Sequence, residues 1–140
     1  MCTKKLMIMK VHDILKLYSI TLEELVSRKI TRSMNNPVAD YAEYLVCHAL
    51  KLERAMPSEK GYDAKDKRGK KYEIKARRET EKSKPTRYSA IRNLDRKHFD
   101  YLVAIIFSKD FYVEKAILLT WNAVKKRSTP QLHKIRRISG

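Results

Sequence analysis

Cysteine is scarce in this chain. Cys2 and Cys47 stand far apart, with no partner at metal-ligand spacing, and the four histidines are scattered. That excludes a disulfide scaffold and a structural zinc site, and predicts a reduced, cytoplasmic setting. Long apolar runs are also missing. None approaches the ~20 residues that span a bilayer. The N-terminal MCTKKLMIMKVHD holds only a short, broken apolar run, which does not suit a signal peptide. Acidic residues are outnumbered, 16 against 32 Lys and Arg, for a net charge of +16. Hydrophobic residues still make up 43% of the 140, enough for the core of one domain and too many for a disordered basic tail.

The charge is unevenly placed. Residues 65–98 hold 14 basic and 5 acidic residues, a net of +9, and 121–140 hold 6 and none. Residues 1–64 and 99–120 are close to neutral. Solubility does not require such clustering. A polyanion does, because each phosphate neutralised releases counterions, so nucleic acid is the expected partner. The basic stretches lack an amphipathic helix with an apolar face, so a membrane surface is not expected.

Residues Gly61 to Arg78, GYDAKDKRGKKYEIKARR, read as strand, tight turn, strand. Gly69 suits the left-handed last position of a three-residue loop, Lys67-Arg68-Gly69. Asp66 then faces Lys70, and Asp63 faces Glu73. Opposed residues share a face with Cβ atoms roughly 5 Å apart, and like charges there repel unless a cation sits between them. Lys75, two residues on, projects from the same face as Glu73, while Tyr72, Ile74 and Ala76 point to a core. Two carboxylates and an amine at one spot suit a hard divalent cation such as Mg²⁺.

The spacing Asp63, Glu73, Lys75, in the contexts GYDA and YEIKAR, resembles the active site of the PD-(D/E)xK nucleases, the restriction-endonuclease-like superfamily. Tyr62 stands where the motif's proline precedes the aspartate. The resemblance covers about residues 36–124. It implies an α/β fold: a mixed central sheet with a hairpin-borne site, flanked by helices. It also implies an Mg²⁺-dependent endonuclease acting on DNA, with Mn²⁺ able to substitute. Asp63, Glu73 and the main-chain carbonyl of Ile74 would hold the metal. Lys75 would orient or deprotonate the attacking water, or stabilise developing charge. An acidic residue of the first core helix often joins the metal, and Glu43 matches it, with Asp40 as fallback. Cutting both strands implies a homodimer. A junction-specific resolvase with the same residues and a non-catalytic basic DNA-binding protein are the alternatives.

The rest of the chain is read around that core. Residues 1–35 form an N-terminal helical extension: a helix over 6–18, a break at Ser19-Ile20-Thr21, then a second helix capped by Thr21 with Glu24 as its capping-box partner. Asn36 and Pro37 start a third helix running to about Ala55, before Pro57. Glu43 falls on its inward face with Ala39, Val46 and Leu50. Residues 78–88 read as a polar loop. Arg77, Arg78, Lys82, Lys84, Arg87 and Arg92 are the expected phosphate contacts, Arg92 in a short helix over 89–94. Phe99 to Phe107 reads as a strand covered on both faces, and Phe111 to Leu119 as the next. Thr120 caps a short final helix, and 125–140 is a basic tail.

Overall fold

A computed structural model describes residues 3–81 and 98–128. The elements are α1 (Thr3–Met7), α2 (Val11–Ser27), α3 (Val38–Leu50), β1 (Glu53–Arg54), β2 (Ala64–Lys65), β3 (Lys71–Arg78), β4 (Tyr101–Phe107), β5 (Val113–Thr120) and α4 (Trp121–Ser128). Among the described residues the sheet has five strands in chain order. Every pairing is antiparallel except β3 with β4, so the sheet is mixed, as expected. The predicted short helix over 89–94 and all but the start of the basic tail lie outside the described residues.

Strand β4 is interior to the sheet, between β3 and β5, because its sequence can be buried on both sides. Val103, Ile105 and Phe107 join Ile74 of β3 and Ala42 and Val46 of α3 in one core cluster. Leu102 points the other way, into a second cluster with Phe99 and Val124 of α4. Thr120 caps α4 as expected, its hydroxyl accepting from the Ala123 N–H at 3.2 Å.

Three helix boundaries differ from expectation. The predicted helix over 6–18 is broken between Met7 and Val11, where Lys10 is extended at φ −65°, ψ 148°, so α1 and α2 are separate. The predicted break at Ser19–Thr21 is absent, and α2 runs through it. Thr21 donates its hydroxyl to the Leu17 carbonyl at 2.8 Å, one turn back, so it bonds within the helix and does not cap a new one. Glu24 pairs with Arg28 at 2.7 Å. Helix α3 stops at Leu50, not near Ala55. Lys51 turns left-handed at φ 55°, and Glu53–Arg54 become a strand against β2. The expected start holds: the Asn36 side chain accepts from the Val38 N–H at 3.1 Å.

The turn before the site depends on a glycine. Gly61 has φ +93°, and a Cβ there would lie 3.2 Å from the His98 Cβ. Gly69, at φ +79°, has open space around it. Gly69→Ala is therefore expected to cost about 1 kcal/mol, for backbone conformation alone. Gly61→Ala should cost more, about 2 kcal/mol or above, since the backbone penalty and the crowding act together. Urea unfolding of the two variants side by side checks the order.

Candidate active site

The hairpin forms with the expected turn. Gly69 donates to the Asp66 carbonyl and Asp66 to the Lys70 carbonyl, both at 3.0 Å. Ala64 pairs with Tyr72 and Lys65 with Lys71, which is the expected register. Then the pairing slips. That register would set Asp63 across from Glu73, yet the Asp63 N–H donates to the Tyr72 carbonyl at 2.8 Å. Two residues against one make a β-bulge, which re-aims a side chain. Asp63 is thereby turned into the gap beside β3, where its Oδ2 accepts the Ile74 N–H at 2.7 Å. In an extended strand a residue's N–H and C=O point the same way. The Ile74 carbonyl therefore opens toward the same gap.

Strand alternation sorts the neighbours. Tyr72 and Ile74 are buried in the core beneath α3, with Ala76 packed against them. Glu73 and Lys75 project from the opposite side of the strand, and Lys75 Nζ lies 3.0 Å from Glu73 Oε1. Burial pushes the Asp63 carboxyl up to about 6. The Glu73 charge adds to the rise, as does Glu43. The Ile74 hydrogen bond and Lys75 pull the other way without cancelling it. Asp63 thus sits where negative charge accumulates, and a cation would relieve the cost.

Glu43 reaches this neighbourhood from α3 and is already engaged. Arg54 on β1 donates to Glu43 Oε2 at 2.8 Å, and its Nη2 lies 3.4 Å from Asp40 Oδ1. The buried stripe of α3 is Ala42, Val46 and Cys47, while Ala39 and Leu50 are exposed. Glu43 therefore flanks the inward face and is not at its centre, a correction to the expected phase. Arg54 is the residue that sequence reasoning missed. No local signal marks it, because its partners are 11 and 14 residues away on another element. Cys47 lies within the same field: burial chiefly, with Glu43, raises its thiol to about 11 despite Arg54.

Side chains of Arg54, Asp40 and Glu43 are 14%, 22% and 19% exposed, so water screens them poorly. Arg54→Met is expected to cost about 2–3 kcal/mol, because two carboxylates lose their counter-charge. Chemical unfolding at pH 7 measures it.

No protein-family model matches the chain, and no curated protein matches it either. The site therefore has to be judged on its own residues. Among those described, no three His, Cys, Asp or Glu side chains gather as a metal-ligand set. What the fold brings together is Asp63, the Ile74 carbonyl and the Glu73–Lys75 pair, with Glu43 held by Arg54.

The expected phosphate contacts divide. Among the described residues, the buried Nη1 of Arg77 has no hydrogen-bond partner. Arg78 donates its Nε to the Lys109 carbonyl at 2.7 Å and lies 4.4 Å from the Phe111 ring centroid. Lys82, Lys84, Arg87 and Arg92 lie outside the described residues.

Proposed function

We propose that this chain is a metal-dependent endonuclease of the restriction-endonuclease-like type, hydrolysing phosphodiester bonds in DNA. The observation that carries the reading is the Asp63 carboxylate. It is fixed on the Ile74 N–H, raised by burial and by Glu73, and paired with a main-chain carbonyl aimed at the same gap. Oxygen donors of this kind suit Mg²⁺, with Mn²⁺ as substitute. Asp63, Glu73 and the Ile74 carbonyl would hold the ion, and Glu43 would join if it exchanged Arg54 for it. Mg²⁺ bound there supplies Lewis acidity toward a phosphoryl oxygen and lowers the pKa of water.

The chain's own residues do the rest. The bulge and the Ile74 N–H hold the Asp63 carboxylate in one orientation. Lys75, kept beside the strand by Glu73, places a cation where negative charge grows as water attacks phosphorus, and orients or deprotonates that water. Residues 65–81, with 8 basic and 4 acidic side chains, carry a net +4 that draws the polyanion toward the hairpin.

The test uses supercoiled plasmid, linear duplex and four-way junction, each with Mg²⁺, with Mn²⁺ and with chelator. Metal-dependent cutting of plasmid or duplex is the expected result. Cutting confined to the junction points to a resolvase. Salt-sensitive binding with no cutting under any metal points to a DNA-binding protein and overturns the enzyme reading.

A further inference from the structure

Helix α2 carries Val11, Ile14, Leu15, Tyr18, Leu22 and Leu25 at steps of three or four, which is one stripe of a helix. Among the described residues, only the C-terminal end of that stripe is buried in the chain's own fold. Leu22 is 5% exposed, but Tyr18 is 56%, Leu15 59%, Ile14 37% and Val11 74% exposed. Just before them, Met7 and Ile8 are 83% and 85% exposed. Bare apolar surface of this extent is rare on a protein that works alone. Where the covered end begins, an apolar groove of about 780 Å³ opens between α2, the start of α3 and the β4–β5 turn. Tyr18, Leu22, Leu25, Tyr41, Phe111 and Tyr112 line it.

We propose that this surface pairs two copies of the chain, with their α2 helices antiparallel about a twofold axis between Ile14 and Leu15. That axis sets Ile14 against the other copy's Leu15, and Val11 against its Tyr18. The antiparallel order also brings the α1–α2 junction of each copy, with Met7 and Ile8, toward the C-terminal half of the other's α2. Groove and filler lie on one molecule in mirrored order, so the contact is self-complementary and closes at two. Met7, Ile8, Val11, Ile14, Leu15 and Tyr18 together offer on the order of 700 Å² per copy, near the ~800 Å² per partner of a standard interface.

Charge disfavours the other occupants. Helix α2 holds Asp13, Glu23 and Glu24 against Lys16, so it is acidic within a chain of net charge +16. Helix α2 itself therefore offers phosphates of nucleic acid or of an anionic bilayer no basic face, the nearest lysines being Lys4, Lys5 and Lys10 before it. The pairing does not depend on the nuclease reading but deepens it, because a twofold dimer presents one site to each strand of a duplex.

Sedimentation equilibrium of the full chain at tens of micromolar should give a dimer. Leu15→Glu should weaken it at least about thirtyfold, the effect of losing a central anchor, with unchanged circular dichroism because Leu15 touches solvent in one copy. With Cys2→Ser as background, Val11→Cys and Tyr18→Cys together should give a covalent dimer on oxidation, and neither alone should. A monomer at every concentration overturns the proposal, as does a dimer indifferent to Leu15→Glu. Cross-linking by Val11→Cys alone overturns the antiparallel axis. A dimer that never cuts DNA leaves the pairing standing and removes the nuclease reading. A Leu15→Glu monomer that only nicks supports both.

Discussion

Asp63→Asn is expected to stabilise the fold by about 2–3 kcal/mol at pH 8. The size follows from the carboxyl's rise from 3.8 to about 6, at roughly 1.4 kcal/mol per unit. The sign follows from linkage. The folded state holds this proton more tightly than the unfolded chain does. Below pH 4 both states are protonated and the wild type bears no cost. As the pH climbs from about 4 to about 6 the unfolded chain ionises first, and folding loses stability. Above 6 the cost is complete and constant. Asparagine cannot ionise, and its Oδ1 still accepts the Ile74 N–H. The advantage of Asp63→Asn should thus be absent at pH 3.5, grow across pH 4–6 and level off above. Urea unfolding at four pH values checks this. An equal gain at pH 3.5 and pH 8 would place its origin in packing and not in charge.

Cleavage is expected to fall by on the order of 10²–10³-fold or more in Asp63→Asn and in Lys75→Ala, for separable reasons. The first removes the negative charge that a divalent ion needs. The second removes the cation facing developing charge, whose loss at other enzymes costs that much in kcat. Mg²⁺ titration tells them apart. An ion that binds only the folded state raises its stability with concentration. That rise should persist in Lys75→Ala and vanish in Asp63→Asn. If Mg²⁺ stabilises Asp63→Asn as well as the wild type, Asp63 is not its ligand. Activity that survives in both variants would belong to a contaminant.

The two tests bear on one site from opposite directions. A carboxylate kept for structure should weaken the fold when it is replaced. One kept for a ligand should strengthen the fold and end the activity. Arg54 is the useful contrast, since it offsets the half-buried charge of Glu43 and Asp40 and its loss should destabilise the fold.

How much was legible depended on the range of the signal. Turn chemistry is local. A glycine after Lys67-Arg68 sufficed for the loop, and the loop fixed the register through Ala64 and Tyr72. The apolar run of β4 likewise predicted burial on both faces. The α2 break was misread because Thr21 can cap a helix or bond back within one, and sequence does not choose between them. The end of α3 was misread because β1 competes for Glu53 and Arg54. That strand exists only once β2 is beside it.

Taken by itself, the sequence determined the mixed sheet's hairpin, its buried central strand, the face shared by Glu73 and Lys75, and the basic charge around them. These follow from a period of two, a turn residue and composition, which act within a few residues. Tertiary structure alone decided the bulge that turns Asp63 onto the Ile74 N–H, the Arg54 bridge to Glu43 and Asp40, and the bare stripe on α2. Each of these depends on which element arrives next to which. Hydrogen bonds and ion pairs across 11 to 14 residues form only after the chain has closed on itself.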